Sequence, residues 1–96
     1  MFPEFSAPTL TDVAEFIRLI NDAHKESGRN LREVAELCAI DHSYLWLILQ
    51  GRRRPRWKVL LSLCTFGWGL DPYETEAILR AGHYQTIMNW QKAGWD

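Results

Sequence analysis

Residues 30–55, NLREVAELCAIDHSYLWLILQGRRRP, constrain this chain more than any other stretch of it. Asn30 with Glu33 three residues later is a capping-box pattern, which starts a helix at that point. Leu31, Val34, Ala35 and Cys38 recur at helical spacing and give this helix one apolar face. Ala39 and Ile40 make a turn, and Asp41 caps a second helix over residues 42–50 that Gly51 ends. Leu45 and Ile48 continue the apolar stripe, with Tyr44 and Leu49 beside it. Two helices joined this tightly need a small residue where they cross, and Ala35 supplies it. Val34, Cys38, Ile40, Leu45 and Ile48 then lock the pair at a fixed angle.

The flanking sequence reads as further helices packed around that pair. Residues 1–10 carry two prolines and no period, so they form an arm, with Phe2 and Phe5 available to pack. A first helix starts at Thr9 or Thr11, presents Val13, Phe16, Ile17, Ile20 and Ala23 on one face, and ends before Gly28. Pro55 restricts the backbone ahead of a fourth helix over residues 57–66, whose apolar positions are Leu60, Leu61, Leu63 and Cys64. The turn GWGLDP leads into a fifth helix from Pro72, burying Tyr73, Ala77 and Ile78 and stopped by Gly82. In residues 84–96 the spacing of Ile87, Met88 and Trp90 leaves room for a short sixth helix. No stretch alternates with period two, so the expected fold is all-α. Its domain is residues 11–83, between an arm at 1–10 and a tail at 84–96.

Ninety-six residues form one domain with a single modest core. No apolar run approaches the ~20 residues that span a membrane. MFPEFSAPTL lacks the basic start and apolar segment of a secretory signal, so the expected location is cytoplasmic. Cys38 and Cys64 sit in apolar helical surroundings without metal-ligand spacing, and read as reduced, buried thiols. Net charge is −1, yet the first half of the chain is acidic and the second half basic. Arg52, Arg53, Arg54, Arg56 and Lys58 fall within seven residues that contain no acid. Such a patch attracts phosphate locally even in a near-neutral protein, because screening limits each charge to ~10 Å.

The crossing pattern, Gly28 seven residues ahead of Ala35, the GRRRP run, and LDPYETEAILRAGHY together resemble the Xre family of lambda-repressor-like helix-turn-helix domains. The resemblance extends over residues 16–84. It implies a five-helix fold and sequence-specific binding of double-stranded DNA by a homodimer. Helix 42–50 would then lie in the major groove, and the start of the helix before it would meet phosphate. On that resemblance His42, Ser43, Trp46, Leu47 and Gln50 face the groove, with Gln50 suited to adenine and His42 or Ser43 to a base edge or phosphate. Arg52, Arg53, Arg54 and Arg56 contact the backbone.

The chain departs from that family's pattern at three places. Ala39 replaces the glycine usual at the turn, at a penalty of roughly 1 kcal/mol if the backbone there is left-handed. Leu31 stands where a phosphate-contacting glutamine is common. Trp46, Leu47 and Leu49 replace polar residues on the outer face of helix 42–50. Apolar side chains touch thymine methyls but donate no hydrogen bonds, and such a surface also suits burial against protein. Three readings therefore stand side by side. The face reads DNA, with unusual apolar contacts or with Trp46 tucked partly inward; or a protein-interaction adaptor has kept the fold without DNA binding; or the face packs on the arm or tail.

Five tryptophans occur, Trp46, Trp57, Trp68, Trp90 and Trp95, and most are expected to be structural. Trp90 and Trp95, in the poorly patterned tail, are candidates for a dimer or partner contact. His24, His42 and His83 are isolated, and no nucleophile motif, phosphate loop or metal spacing is present, so no enzyme, metal or cofactor is expected. Asp71, Glu74 and Glu76 read as acids that complement the dipole at the start of the fifth helix.

Overall fold

Three helices begin where a side chain satisfies amides that the helix itself leaves unpaired. Asn30 Oδ1 accepts from the Glu33 amide at 2.9 Å while Glu33 Oε1 accepts from the Asn30 amide at 3.0 Å. Asp71 and Glu74 make the same reciprocal pair at 2.7 and 3.1 Å, with Pro72 in the first turn. Asp41 Oδ1 accepts from the Ser43 amide at 3.1 Å. In this computed structural model, which describes residues 10–85 and side chains from residue 12 onward, these caps open three of five helices. They are α1 (Leu10–Glu26), α2 (Leu31–Leu37), α3 (His42–Leu49), α4 (Trp57–Ser62) and α5 (Pro72–Ala81). No strand occurs among the described residues, and the all-α expectation holds. The arm at 1–9 and the tail beyond 85, where a short sixth helix is expected and where Trp90 and Trp95 fall, lie outside the described residues.

Three of the helix ends follow one pattern. After α2 the Ala39 amide bonds the Glu36 carbonyl at 3.1 Å, and the Ile40 amide bonds that of Ala35 at 3.0 Å. After α3 the Gly51 and Arg52 amides reach Ile48 and Leu47, and after α5 the His83 and Tyr84 amides reach Arg80 and Leu79. All three are Schellman closures, which place one residue in left-handed backbone. Those residues are Ala39 (φ 55°), Gly51 (φ 76°) and His83 (φ 59°). Ala39 thus adopts the strained conformation the sequence left conditional. At the end of α5 the left-handed residue is His83, and Gly82 serves close approach instead: a Cβ there would lie 2.7 Å from the Phe16 ring.

The core gathers Phe16, Ile20 and Ala23 of α1, Val34 and Ala35 of α2, and Leu45, Ile48 and Leu49 of α3. Leu60 of α4, Ile78 and Leu79 of α5, and Leu63, Cys64 and Trp68 between them complete it. α2 packs on α3, and α1 packs on both α3 and α5. Three expected core positions are corrected. Val13 is exposed at the outer edge of α1. Tyr73 and Ala77 face solvent, and α5 buries Thr75 and Leu79 beside the expected Ile78, because its contact stripe is rotated by more than a third of a turn. Thr75 tolerates burial because its hydroxyl donates to the Asp71 carbonyl at 2.9 Å.

Helix four also differs from its expected form. Beyond Ser62 the chain widens into a π-helical turn, Leu63–Gly67, closed by the Trp68 amide on the Leu63 carbonyl at 2.7 Å. Close packing on α2 accompanies the widening. A Cβ at Gly67 would stand 2.8 Å from Val34 Cγ1 and 3.1 Å from Cys38 Sγ. Arg29 secures this end, its Nη1 donating to the Phe66 and Gly67 carbonyls at 3.0 and 2.8 Å. Both cysteines are free; Cys64 is buried, which pushes its thiol up to about 12, and Cys38 is partly buried, its thiol raised for the same reason.

Candidate nucleic-acid interface

α3 is anchored from within, and what remains outside is the candidate site. Leu45, Ile48 and Leu49 are buried. Asn21 of α1 donates one Nδ2 to the carbonyls of both Ile17 and Leu49, at 2.8 and 2.9 Å, which fixes the end of α3 against α1. Sequence reasoning missed this side chain, since an asparagine on the polar side of a helix carries no pattern. Leu49 therefore leaves the set of outward apolar residues, and the expectation that it faces out is corrected.

The outer face of α3 carries His42, Ser43, Trp46 and Gln50, with Leu47 half-buried beside them. Residues three and four apart share a helix face, so these side chains form one strip about two turns long. Trp46 stands near its middle with 45% of its surface exposed, so it is not tucked inward. His42 stands at the first turn with Nδ1 3.6 Å from Asp41 Oδ1.

The arginine loop lies at the other end of the same helix. The Arg52 guanidinium sits 5.9 Å from the Trp46 ring centroid and that of Arg53 6.0 Å from the Tyr44 ring. Both cations therefore run back along α3, next to the outer strip. Arg56 occupies the cap position of α4 and is exposed. Arg54 is held differently. Its guanidinium stacks 4.0 Å from the Tyr84 ring and Nη2 donates to the Gly82 carbonyl at 2.7 Å. Tyr84 in turn donates its hydroxyl to the Pro55 carbonyl, and burial pushes that hydroxyl up to about 12, so it stays a neutral donor. Trp57 Nε1 donates to the Gln85 carbonyl at 2.6 Å. Tyr84 and Gln85 are thus part of the packed domain, and they brace the loop that carries the arginines.

The start of α2 offers less to an anion than the resemblance implies, since the amides of Asn30 and Glu33 are already bonded and a carboxylate sits there. Elsewhere the candidates read as isolated are structural. His24 Nδ1 accepts from Trp68 Nε1 at 3.1 Å, and burial holds the imidazole below its ordinary pKa. His83 Nε2 lies 3.2 Å from Asp12. Among the described residues no cluster of histidine, cysteine or acids could hold a metal, and no helix is long and apolar enough to cross a membrane.

A model of the family described as helix-turn-helix domain matches residues 9–78, most of the chain. The chain belongs to the helix-turn-helix domain family. The match is consistent with the Xre and lambda-repressor-like resemblance and includes every helix except the last turn of α5. No curated protein and no solved structure matches the chain. Membership in the helix-turn-helix domain family suggests a DNA-binding regulator in general terms. In the arrangement of that family α3 is the second helix of the pair, the one whose outer strip and adjoining arginines are described above.

Proposed function

We propose that this chain is a cytoplasmic, sequence-specific transcriptional regulator that binds double-stranded DNA as a homodimer. α3 lies in the major groove, where Ser43, Trp46 and Gln50 meet base edges with His42 and Leu47 at the margin. Arg52, Arg53 and Arg56 contact the phosphates on either side, fixing register without reading sequence. Arg54 chiefly holds the loop to the domain. The observation that carries this reading is the juxtaposition of Arg52 and Arg53, which have no acidic partner among the described residues, with the exposed strip of the second helix.

Fluorescence anisotropy against a mixed-sequence duplex at increasing salt tests it. Micromolar binding that weakens steeply with salt is expected, because displaced counterions set the affinity. Absence of binding at low salt would reject the reading and favour the adaptor, in which the exposed indole of Trp46 seats against another protein. Light scattering checks the dimer, with Trp90 and Trp95 proposed as its contact; a monomeric mass at tens of micromolar rejects it.

A further inference from the structure

The outer strip of α3 combines two polar side chains with one large apolar one in a way that narrows what it can read. Ser43 and Gln50 bracket Trp46, and no charged side chain lies between His42 and Gln50. Major-groove edges consist of hydrogen-bonding groups with one exception, the C5-methyl carried by thymine or by 5-methylcytosine. The face of an indole pressed on an amino or keto group strips it of water and returns no bond, since the ring's one donor, Nε1–H, lies at its edge. Pressed on a methyl, it buries apolar surface on both sides.

We infer that Trp46 reads a C5-methyl pyrimidine in the major groove, which makes it a specificity-determining residue; the inference rests on the DNA-binding reading above. Thymine is the source the geometry favours. Gln50 lies four residues beyond Trp46, ~6 Å along the helix axis, about the rise of two base pairs. Its amide suits the N6 and N7 edge of adenine, so Trp46 and Gln50 together select a short A·T-containing step. Arg52, with its guanidinium 5.9 Å from the indole, holds the ring from the side of the loop and places a cation at the adjoining phosphate.

The test uses the full chain and the duplex most enriched from a random-sequence pool. Two further duplex sets carry single dT→dU or single dC→5-methyl-dC replacements. Each is titrated by anisotropy with the wild type, Trp46→Ala and Trp46→Gln. One or two dT→dU positions are expected to weaken the wild type about fourfold each, the worth of one buried methyl group (~0.8 kcal/mol). Both variants should bind the dT and dU duplexes equally. If cytosine methylation strengthens wild-type binding instead, and the variants do not respond, the methyl comes from 5-methylcytosine and the inference stands. Wild-type affinity indifferent to every replacement overturns it, and so does uracil sensitivity that persists in both variants. In those cases a steep salt dependence still upholds DNA binding; with no duplex bound at low salt, both fall.

Discussion

The turn before α3 and the loop after it flank the same helix but are built in opposite ways. In the turn, residues 38–41, the backbone amides of Cys38, Ala39 and Ile40 all close onto α2, and Ile40 packs on the core. The loop, residues 51–56, contains four arginines, of which, among the described residues, Arg54 alone donates its side chain to a backbone carbonyl across the fold. The turn is therefore tied throughout by backbone bonds, whereas the loop, once the Gly51 and Arg52 amides have closed α3, is braced by Tyr84 and Arg54 and presents the other arginines. On the proposed function, stability and DNA binding separate between turn and loop, and substitutions in the two should move different observables.

The largest effect belongs to the loop. Replacing Arg52, Arg53 and Arg56 together with alanine should reduce the slope of log affinity against log salt by about 0.9 per lost contact, about 2.7 in all. The melting temperature should hold within a degree or two, since none of the three is buried. A comparable loss of stability would erase the contrast. Arg54→Ala comes next and should behave unlike its neighbours. Losing the Gly82 hydrogen bond and the Tyr84 stack is expected to lower unfolding free energy by about 1–2 kcal/mol, read by urea denaturation. Binding by the folded fraction should fall less than in the triple variant. The smallest effect is in the turn and has the opposite sign. Ala39→Gly relieves left-handed strain and should stabilise the protein by about 0.5–1 kcal/mol, offset in part by the entropy of the unfolded chain, with DNA affinity unchanged.

How far these features were legible varies from residue to residue. The capping boxes at Asn30–Glu33 and Asp71–Glu74 are local pairs three residues apart, and local chemistry decides them. The conditional strain at Ala39 was visible for the same reason. Helical spacing gives a stripe without its rotation and so points Tyr73 and Ala77 inward, whereas which stripe of α5 is buried depends on where α1 lies. The π-helical turn at Leu63–Gly67 and the clamp by Arg29 depend on contacts between residues more than thirty positions apart, which no local pattern carries. Within the site, the arginine cluster was plain in the sequence. Its division into Arg54, held by Gly82 and Tyr84, and Arg52 and Arg53, lying along α3, required the packed structure.

The surface away from α3 gives a natural control. Asp22, Glu26 and Glu74 rim a groove floored by Leu19, Ala23, Leu70 and Ile78 between α1 and α5. By helical spacing it lies on the side of α1 opposite Ile17 and Asn21, which meet α3 and its loop. Its acids repel a polyanion, so on the proposed function α1 divides the DNA-facing side from one that DNA avoids.

Amide and indole chemical-shift mapping during titration with a duplex tests the central assignment most directly. The largest changes are expected on Ser43, the Trp46 indole, Gln50, Arg52 and Arg53, with the Asp22–Glu26–Glu74 groove silent. Changes concentrated in that groove, or none along α3, would contradict it.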